Sequence, residues 1–151
     1  MHTPETPFLA ADTIIELLDH APPYPIVLVE RRFAPLGMAI PGGFVERGER
    51  MEQAAVREAA EETSLDVTLT ALLGLYSDPQ RDRRGHTVTA VYVGQAHGLP
   101  VAADDAKSIL ILAPEQALTQ PLTFDHARVL QDYLHWRATG QPAPLSLESR
   151  M

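Results

Sequence analysis

The chain has 151 residues, of which 45% are hydrophobic and 21% charged, and it carries a formal net charge of −8 and no cysteine. This length closes one hydrophobic core, so we expect a single domain over residues 1–151. The lack of cysteine excludes disulfides, thiolate metal ligands and a cysteine nucleophile, and the acidic balance argues against general binding to nucleic acid. No run of about 18 apolar residues and no leader-like start occurs, which predicts a soluble, cytoplasmic chain with no membrane partner.

The first half of the chain predicts two strands, a turn and a helix. Residues 10–18 could form a strand or a short helix, and we expect a strand. Residues 26–32 are apolar and β-branched enough for a strand that is buried on both faces. Residues 41–43 (PGG) predict a tight turn. Met51–Thr63 is rich in Ala, Glu and Arg and contains no Gly or Pro, so it is the clearest helix.

The second half predicts a long hairpin followed by helices. Strands at residues 67–76 and 87–96 flank the polar loop 77–85. A further apolar stretch at 109–112 precedes a short helix at 114–118. A last helix at 124–139 ends at Gly140, and the tail from about residue 141 should be frayed. These interleaved elements predict an α/β (α+β) fold, in which a mixed sheet is covered by helices on both faces.

The predicted helix Met51–Thr63 carries three glutamates on one arc. Glu58, Glu61 and Glu62 are separated by offsets of three and four residues, so their carboxylates stack on the same side. Nothing basic falls on that arc, although a solvated acidic face would also explain it. A hard divalent cation such as Mg²⁺ would convert the mutual repulsion of the glutamates into coordination. We expect the opposite arc to pack on the sheet, and it consists of Val56, Ala59, Ala60 and Thr63.

The surroundings of this arc also favour a ligand site. Ala54 and Ala55 are small and would leave space for a bulky ligand. The backbone of the two glycines before the helix could turn its carbonyls into the same site. Glu49 could pair with Arg57, which lies off the glutamate arc and would not compete for a cation.

The spacing of these residues resembles the signature of the Nudix hydrolase family. That signature is Gly, five residues, Glu, seven residues, Arg-Glu, an apolar residue, any residue, Glu-Glu, any residue, Gly and an apolar residue. In this chain it runs Gly43, Glu49, Arg57, Glu58, Ala59, Glu61, Glu62, Ser64 and Leu65. Every charged position matches, and Ser64 stands in place of the second glycine. A serine in the left-handed conformation after a helix would cost about 1 kcal/mol without removing a reactive group.

The resemblance implies a Nudix fold over nearly the whole chain, with Mg²⁺ as cofactor and Mn²⁺ as the alternative. It implies that Glu58 and Glu62 are the main metal ligands and that Glu61 is a further ligand or activates water. The carbonyl of Gly42 would be another ligand. The structural residues of the signature would be Gly43, Glu49 and Arg57.

The resemblance also implies that the attacking water needs a base from a later loop. Asp104 and Asp105 are the candidates there, with Glu115 behind them. A plain polar turn explains the two aspartates equally well.

A looser resemblance extends to the bacterial and archaeal ADP-ribose pyrophosphatases of this family. It rests on residues 76–93, 104–106 and 124–126, and Pro79 stands where a proline marks a preference for ADP-sugars. The loop at residues 77–85 is rich in arginine, and the guanidinium group of arginine can bind a diphosphate through two parallel hydrogen bonds. The alternative is that this loop is simply the solvated end of a hairpin. The candidate substrate-binding residues are Arg31, Arg81, Arg84 and His86. For His126, beside the possible N-cap Asp125, we expect capping and packing instead of catalysis.

We therefore predict Mg²⁺-dependent hydrolysis of ADP-ribose to AMP and ribose 5-phosphate. One alternative is cleavage of a nucleoside triphosphate to a monophosphate and pyrophosphate. Another is a nucleotide-binding sensor without turnover. The expected partner is a small nucleotide, and dimerisation within the family implies a homodimer.

Overall fold

The computed structural model describes residues 2–103 and 106–151. Within these residues the chain forms seven strands and three helices. In chain order they are β1 (Phe8–Leu17), β2 (Ile26–Arg31), β3 (Met38–Ala39), β4 (Gly42–Phe44), α1 (Met51–Thr63), β5 (Thr68–Tyr76), β6 (Thr87–Ala96), β7 (Ala106–Leu112), α2 (Pro114–Ala117) and α3 (His126–Thr139). None of the described helices is long and apolar enough to cross a bilayer.

The strands form one mixed sheet with the order β3-β2-β1-β6-β5. β1 and β6 are parallel over their full lengths, from Phe8 opposite Thr87 to Leu17 opposite Ala96. β5 and β6 form the predicted antiparallel hairpin. β4 pairs with the first half of β1, and β7 pairs with β2. β1 is therefore the central strand against which the other elements are arranged.

Successive residues of β1 enter different cores because side chains alternate across a strand. Ile14 packs in a core that contains Leu130 and Tyr133 of α3. Ile15 packs in a second core that contains Ala59 of α1. The sheet is thus covered by helices on both faces, which confirms the predicted fold class. The prediction that β2 is buried on both faces is also confirmed for its first four residues, Ile26 to Val29.

Gly42 and Gly43 lie in strand β4, so the prediction that they form a tight turn was wrong. Neither is among the residues with positive φ. A Cβ atom on Gly42 would lie 1.9 Å from Oδ1 of Asp12, and one on Gly43 would lie 2.5 Å from the carboxyl carbon of Glu58. Consecutive strand residues face opposite sides of a sheet. The two glycines therefore make room for two carboxylates on opposite faces.

Helix α1 packs on a face that only partly coincides with the one predicted. Ala59 and Thr63 are buried as predicted, and the other buried residues are Ala54 and Ala55. Ala54 and Ala55 contact the sheet in a cluster with Ala11 and Tyr92, so they leave no space for a ligand. Ala60, which was assigned to the packing face, is exposed. The alanines bring the helix close to the sheet, and this rotation places Glu58 and Glu62 half-buried at the edge of the contact.

The tail after Gly140 contains no helix or strand, but it contacts the rest of the chain instead of fraying. The backbone N–H of Ala143 donates to the carbonyl of Leu73 at 2.8 Å. The guanidinium of Arg150 binds the carboxylate of Asp132 with distances of 2.5 and 3.0 Å. These contacts join residues that are distant in sequence, which composition alone does not predict.

Candidate active site

The loop before α1 is joined to the helix by the predicted pair of Glu49 and Arg57. Nε and Nη2 of Arg57 donate to the two carboxylate oxygens of Glu49 at 2.7 and 2.9 Å. Nη2 also donates to the carbonyl of Phe44 at 3.1 Å. Hydrogen bonding to Arg57 lowers the pKa of Glu49 to about 2. This cluster fixes the chain from β4 to the first turns of α1.

Arg57 also reaches the glutamate arc, contrary to the prediction that it lies clear of it. Nη1 of Arg57 donates to Glu58 at 2.9 Å and to Glu61 at 3.2 Å. The side chain of an arginine is long enough to span neighbouring helix positions, which positional spacing alone does not show. Burial raises the pKa of Glu58, and Arg57 opposes that shift. In this structure Arg57 is thus a cation that faces these carboxylates.

The oxygen donors around Gly42 fit a hard divalent cation in their chemistry. Glu58 and Glu62 are near neighbours on α1, and, against the effect of burial, Glu62 acts on the pKa of Glu58 by lowering it. The backbone N–H of Gly42 approaches a carboxylate oxygen of Glu62 at 3.4 Å. Two neighbouring carboxyl groups beside the backbone of a glycine suit Mg²⁺, because this ion prefers oxygen ligands. Within residues 2–103 and 106–151, however, no three His, Cys, Asp or Glu side chains are arranged to hold a metal ion.

A cavity of about 140 Å³ opens on one side of Gly42. We call it the aromatic cavity, and its lining includes Asp12, Arg31, Gly42, Phe44, Arg84, Phe124 and His126. The guanidinium carbon of Arg84 lies 5.0 Å from the ring centre of Phe44 and 5.4 Å from that of Phe124. The guanidinium of Arg31 lies 5.1 Å from the Phe124 ring. Rings and planar cations of this kind can stack on a flat ligand.

Phe124 has a backbone φ of 55°. A bulky residue rarely adopts this left-handed conformation, because it is strained. The next two residues, Asp125 and His126, are both buried, and their packing keeps Phe124 in this strained conformation. The strained residue thereby places its ring in the wall of the aromatic cavity.

A second cavity of about 160 Å³ shares part of its lining with the first. We call it the glutamate cavity, and its lining includes Glu30, Arg31, Arg32, Phe33, Gly42 and Glu62. Arg31 and Gly42 line both cavities. The two cavities are therefore neighbours that have a glycine backbone and a guanidinium in common.

The predicted substrate-binding residues do not all reach these cavities as free groups. Arg31 and Arg84 line the aromatic cavity, as expected of binding residues. Arg81 lines it too, but the residue is 4% exposed and its guanidinium binds Asp125 at 2.7 and 3.0 Å. It also donates to Thr89 at 2.7 Å. The guanidinium of Arg81 is thus occupied by hydrogen bonds within the protein and is not available to bind a diphosphate.

Other predicted residues lie away from the two cavities. His86 is exposed and contacts the carbonyl of Ser77 at 2.9 Å. Pro79 borders a separate hollow beside the C-terminal tail. Glu115 is exposed at the start of α2. Asp104 and Asp105 lie outside the described residues, so their role as a base stays a prediction.

Two site residues that sequence reasoning missed or undervalued form a buried pair. His126 is 2% exposed and Asp12 is 7% exposed. Nε2 of His126 lies 3.2 Å from Oδ2 of Asp12. The prediction of a packing role for His126 agrees with this burial. Asp125 makes no side-chain cap, because its carboxylate binds Arg81. The sequence did contain a signal for Asp12, because a charged residue inside an otherwise apolar predicted strand often has a specific role.

A model of the NUDIX domain matches residues 8–133, and the chain belongs to the Nudix family. An ADP-ribose pyrophosphatase of Methanocaldococcus jannaschii is 40% identical over 134 residues, which are 87% of this chain and 75% of that protein. Family and relative together make this chain a Nudix pyrophosphohydrolase. Two further relatives are each matched over 52% of their own length, one through 55% of this chain and the other through 83%.

Solved structures share the fold. A mutT/nudix family protein from Listeria innocua is 31% identical with a TM-score of 0.73, covering 90% of this chain and 98% of that one. The NUDIX domain of Shewanella oneidensis NrtR, solved with ADP ribose, has a TM-score of 0.76 at 24% identity. That match covers 89% of this chain and 90% of the other, and it shows the common fold.

Proposed function

We propose that the chain hydrolyses the diphosphate bond of ADP-ribose to release AMP and ribose 5-phosphate, with Mg²⁺ or Mn²⁺ as cofactor. The observation that carries this proposal is the pair of neighbouring cavities that share Arg31 and Gly42 in their linings. A substrate with two arms joined by a diphosphate fits such an arrangement better than a molecule with one arm. The 40% identical relative, an ADP-ribose pyrophosphatase, supports the same substrate.

Arg31 is the residue best suited to bind the diphosphate. Its Nε donates to the carbonyl of Pro35 at 2.8 Å, and its two Nη groups make no hydrogen bond within the described residues. Burial lowers the pKa of Arg31, yet a guanidinium remains charged at neutral pH. Two free NH₂ groups in a fixed plane match the oxygens of a phosphate.

The nucleoside arm would lie in the aromatic cavity and the ribose phosphate arm in the glutamate cavity. The rings of Phe44 and Phe124 provide apolar faces for a base. Glu58, Glu62 and the carbonyl of Gly42 would hold the metal, and Glu61 would join them after leaving Arg57. When bound, the metal neutralises phosphate charge and lowers the pKa of a water. Asp104 or Asp105 would supply the base. Homodimer formation and a cytoplasmic location belong to the same proposal.

A substrate panel with product identification tests this function. Purified protein with Mg²⁺ or Mn²⁺ should release AMP from ADP-ribose and should release little pyrophosphate from nucleoside triphosphates. The opposite preference would refute the assignment in favour of a triphosphate pyrophosphohydrolase. Tight binding of ADP-ribose without turnover would instead indicate a sensor.

The Glu62→Gln variant tests the glutamates directly. Removing this charge should lower kcat by about two orders of magnitude or more, because a carboxylate ligand is lost. Thermal unfolding should change little, since Glu62 lies at the edge of the helix contact. Glu148→Gln, in the exposed tail, is the matched control and should keep full activity. Normal turnover by Glu62→Gln would contradict the proposed metal site.

A further inference from the structure

Asp12 is a buried carboxylate in the wall of the aromatic cavity. It lies in β1 directly opposite Gly42 of β4. Its side chain occupies the space that a side chain at position 42 would need, since a Cβ there would lie 1.9 Å from Oδ1. The glycine thus permits a carboxylate beside the backbone that the two cavities share.

His126 lies against one of the two carboxylate oxygens of Asp12. The backbone N–H of Ile40 donates to Nδ1 of His126 at 3.0 Å, so Nδ1 carries a lone pair and no proton. In the neutral ring the proton is therefore on Nε2, which lies 3.2 Å from Oδ2 of Asp12. His126 thus occupies the Oδ2 side of the carboxylate.

The other oxygen, Oδ1, has no hydrogen-bond donor among the described residues. The arginines that line the cavity make no hydrogen bond to it. Arg81 is bound to Asp125, and Arg84 is bound to Asp82 at 2.8 Å. Arg31 donates from Nε to the carbonyl of Pro35. A carboxylate oxygen in a cavity wall is stabilised when a donor reaches it. A ligand in the cavity is the group that can provide that donor.

We infer that Asp12 is a specificity-determining residue that accepts a hydrogen bond from an uncharged donor on the nucleoside arm of the substrate. This inference rests on the proposed function, because it places the nucleoside arm in the aromatic cavity. The donor is an amino group of the base or a hydroxyl of the ribose. A phosphate has no such donor and is repelled by a carboxylate, so Asp12 also orients the phosphates toward Arg31.

Calorimetric titration of the full chain with three nucleotides in the presence of Mg²⁺ tests the inference. The ligands are AMP, IMP, in which a carbonyl replaces the amino group of the base, and 2′-deoxy-AMP, which lacks one ribose hydroxyl. The wild-type protein should bind AMP about 10- to 100-fold more tightly than the analogue that lacks the recognised donor. Weak IMP binding identifies the amino group, and weak 2′-deoxy-AMP binding identifies the hydroxyl.

The Asp12→Asn variant should lose this discrimination. Asparagine has nearly the same shape, and its oxygen can still accept from Nε2 of His126, while its NH₂ group faces the cavity. A donor then replaces an acceptor, so if the amino group is the one recognised, affinity for AMP falls and the preference shifts toward IMP. If a ribose hydroxyl is recognised, it can accept from the NH₂ group, but this neutral hydrogen bond is weaker than one to a carboxylate, so the discrimination against 2′-deoxy-AMP shrinks. Asp66→Asn, at an exposed aspartate, is the control and should bind like the wild type.

Equal binding of all three nucleotides by the wild-type protein, or binding of none of them, would overturn the inference. So would unchanged discrimination in a folded Asp12→Asn variant. The wild-type comparison needs no variant, so it decides the matter even if the substitution prevents folding. Discrimination among the nucleotides without hydrolysis of ADP-ribose would leave the role of Asp12 standing and remove the proposed function.

Discussion

Ser64 follows helix α1 with φ of 62° and ψ of 15°, the left-handed conformation that was predicted for this position. A residue with a Cβ atom is disfavoured there, and glycine is the usual choice. Its hydroxyl contacts the carbonyl of Val101 at 3.4 Å, which is a long and exposed contact. Serine therefore reduces stability at this position and adds no group to the site.

Replacing Ser64 by glycine should raise the free energy of unfolding by up to about 1 kcal/mol, because the backbone strain is removed. Denaturant unfolding measures the change, and the rate of turnover should be unaltered. Gly140→Ser provides the reciprocal test, since Gly140 ends α3 with φ of 75° and a Cβ atom there would meet nothing within 4 Å. That variant should be less stable by a similar amount. A destabilised Ser64→Gly protein would show that strain at this residue is compensated elsewhere.

At the scale of elements, the loop between β4 and α1 depends on the pair of Glu49 and Arg57. The pair joins the strand that carries Gly42 to the helix that carries the three glutamates. Arg57 further binds Glu58 and Glu61, so one side chain connects the loop with the glutamate arc. The signature arginine and glutamate thus position the carboxylates relative to the backbone of β4.

The pKa of Glu49, lowered from 4.5 to about 2, predicts an acid-dependent loss of stability. A carboxyl group whose pKa is lower in the folded chain stabilises it fully above the unfolded pKa, and this contribution disappears as the pH falls toward the folded pKa. The window is therefore about pH 4.5 down to pH 2. In Glu49→Gln, the free energy of unfolding should depend less steeply on pH across this window than in the wild type.

Denaturant unfolding at a series of pH values compares the two proteins. Glu5→Gln, at an exposed position near the N-terminus, is the control and should follow the wild-type curve. Parallel curves for Glu49→Gln and wild type would show that the ion pair with Arg57 does not contribute to folding in solution.

At the scale of the whole molecule, the hairpin loop is held against α3 by a buried ion pair. The side chains of Arg81 and Asp125 are 3% and 6% exposed, and they are 44 residues apart in sequence. The nearby pair of Arg84 and Asp82 is local, and the Arg84 side chain is 42% exposed. Two arginines of one loop thus have different roles, one in folding and one at the cavity.

Arg81→Ala should lower the free energy of unfolding by about 3 kcal/mol or more, because it leaves the buried charge of Asp125 without a partner. Arg84→Ala should change it less, by about 1 kcal/mol, because the buried carboxylate of Asp82 keeps the backbone N–H of residue 84 and the hydroxyl of Thr87 as donors. Its effect should appear as a higher KM for ADP-ribose, because Arg84 borders the aromatic cavity. Thermal unfolding and steady-state kinetics of both variants check this contrast. Equal stabilities would contradict the division of roles.

Local patterns predicted most of the elements. Helix α1 has the predicted bounds, and the β5–β6 hairpin and the stop of α3 at Gly140 agree closely with their sequence signals. The reasons are local, since helix propensity, strand alternation and glycine conformation act over a few residues. The rotation of α1 was predicted less well, because packing on the sheet selects the alanine face.

The spacing from Gly43 to Leu65 was sufficient to determine the family and the arc of Glu58, Glu61 and Glu62, because those residues belong to one helix of known period. Only the tertiary structure decided that Asp12 lies opposite Gly42 and that Arg81 is bound to Asp125. These pairs are 30 and 44 residues apart in the chain. Strand register and helix packing bring such residues together, and neither is encoded in the local periodicity that a sequence displays.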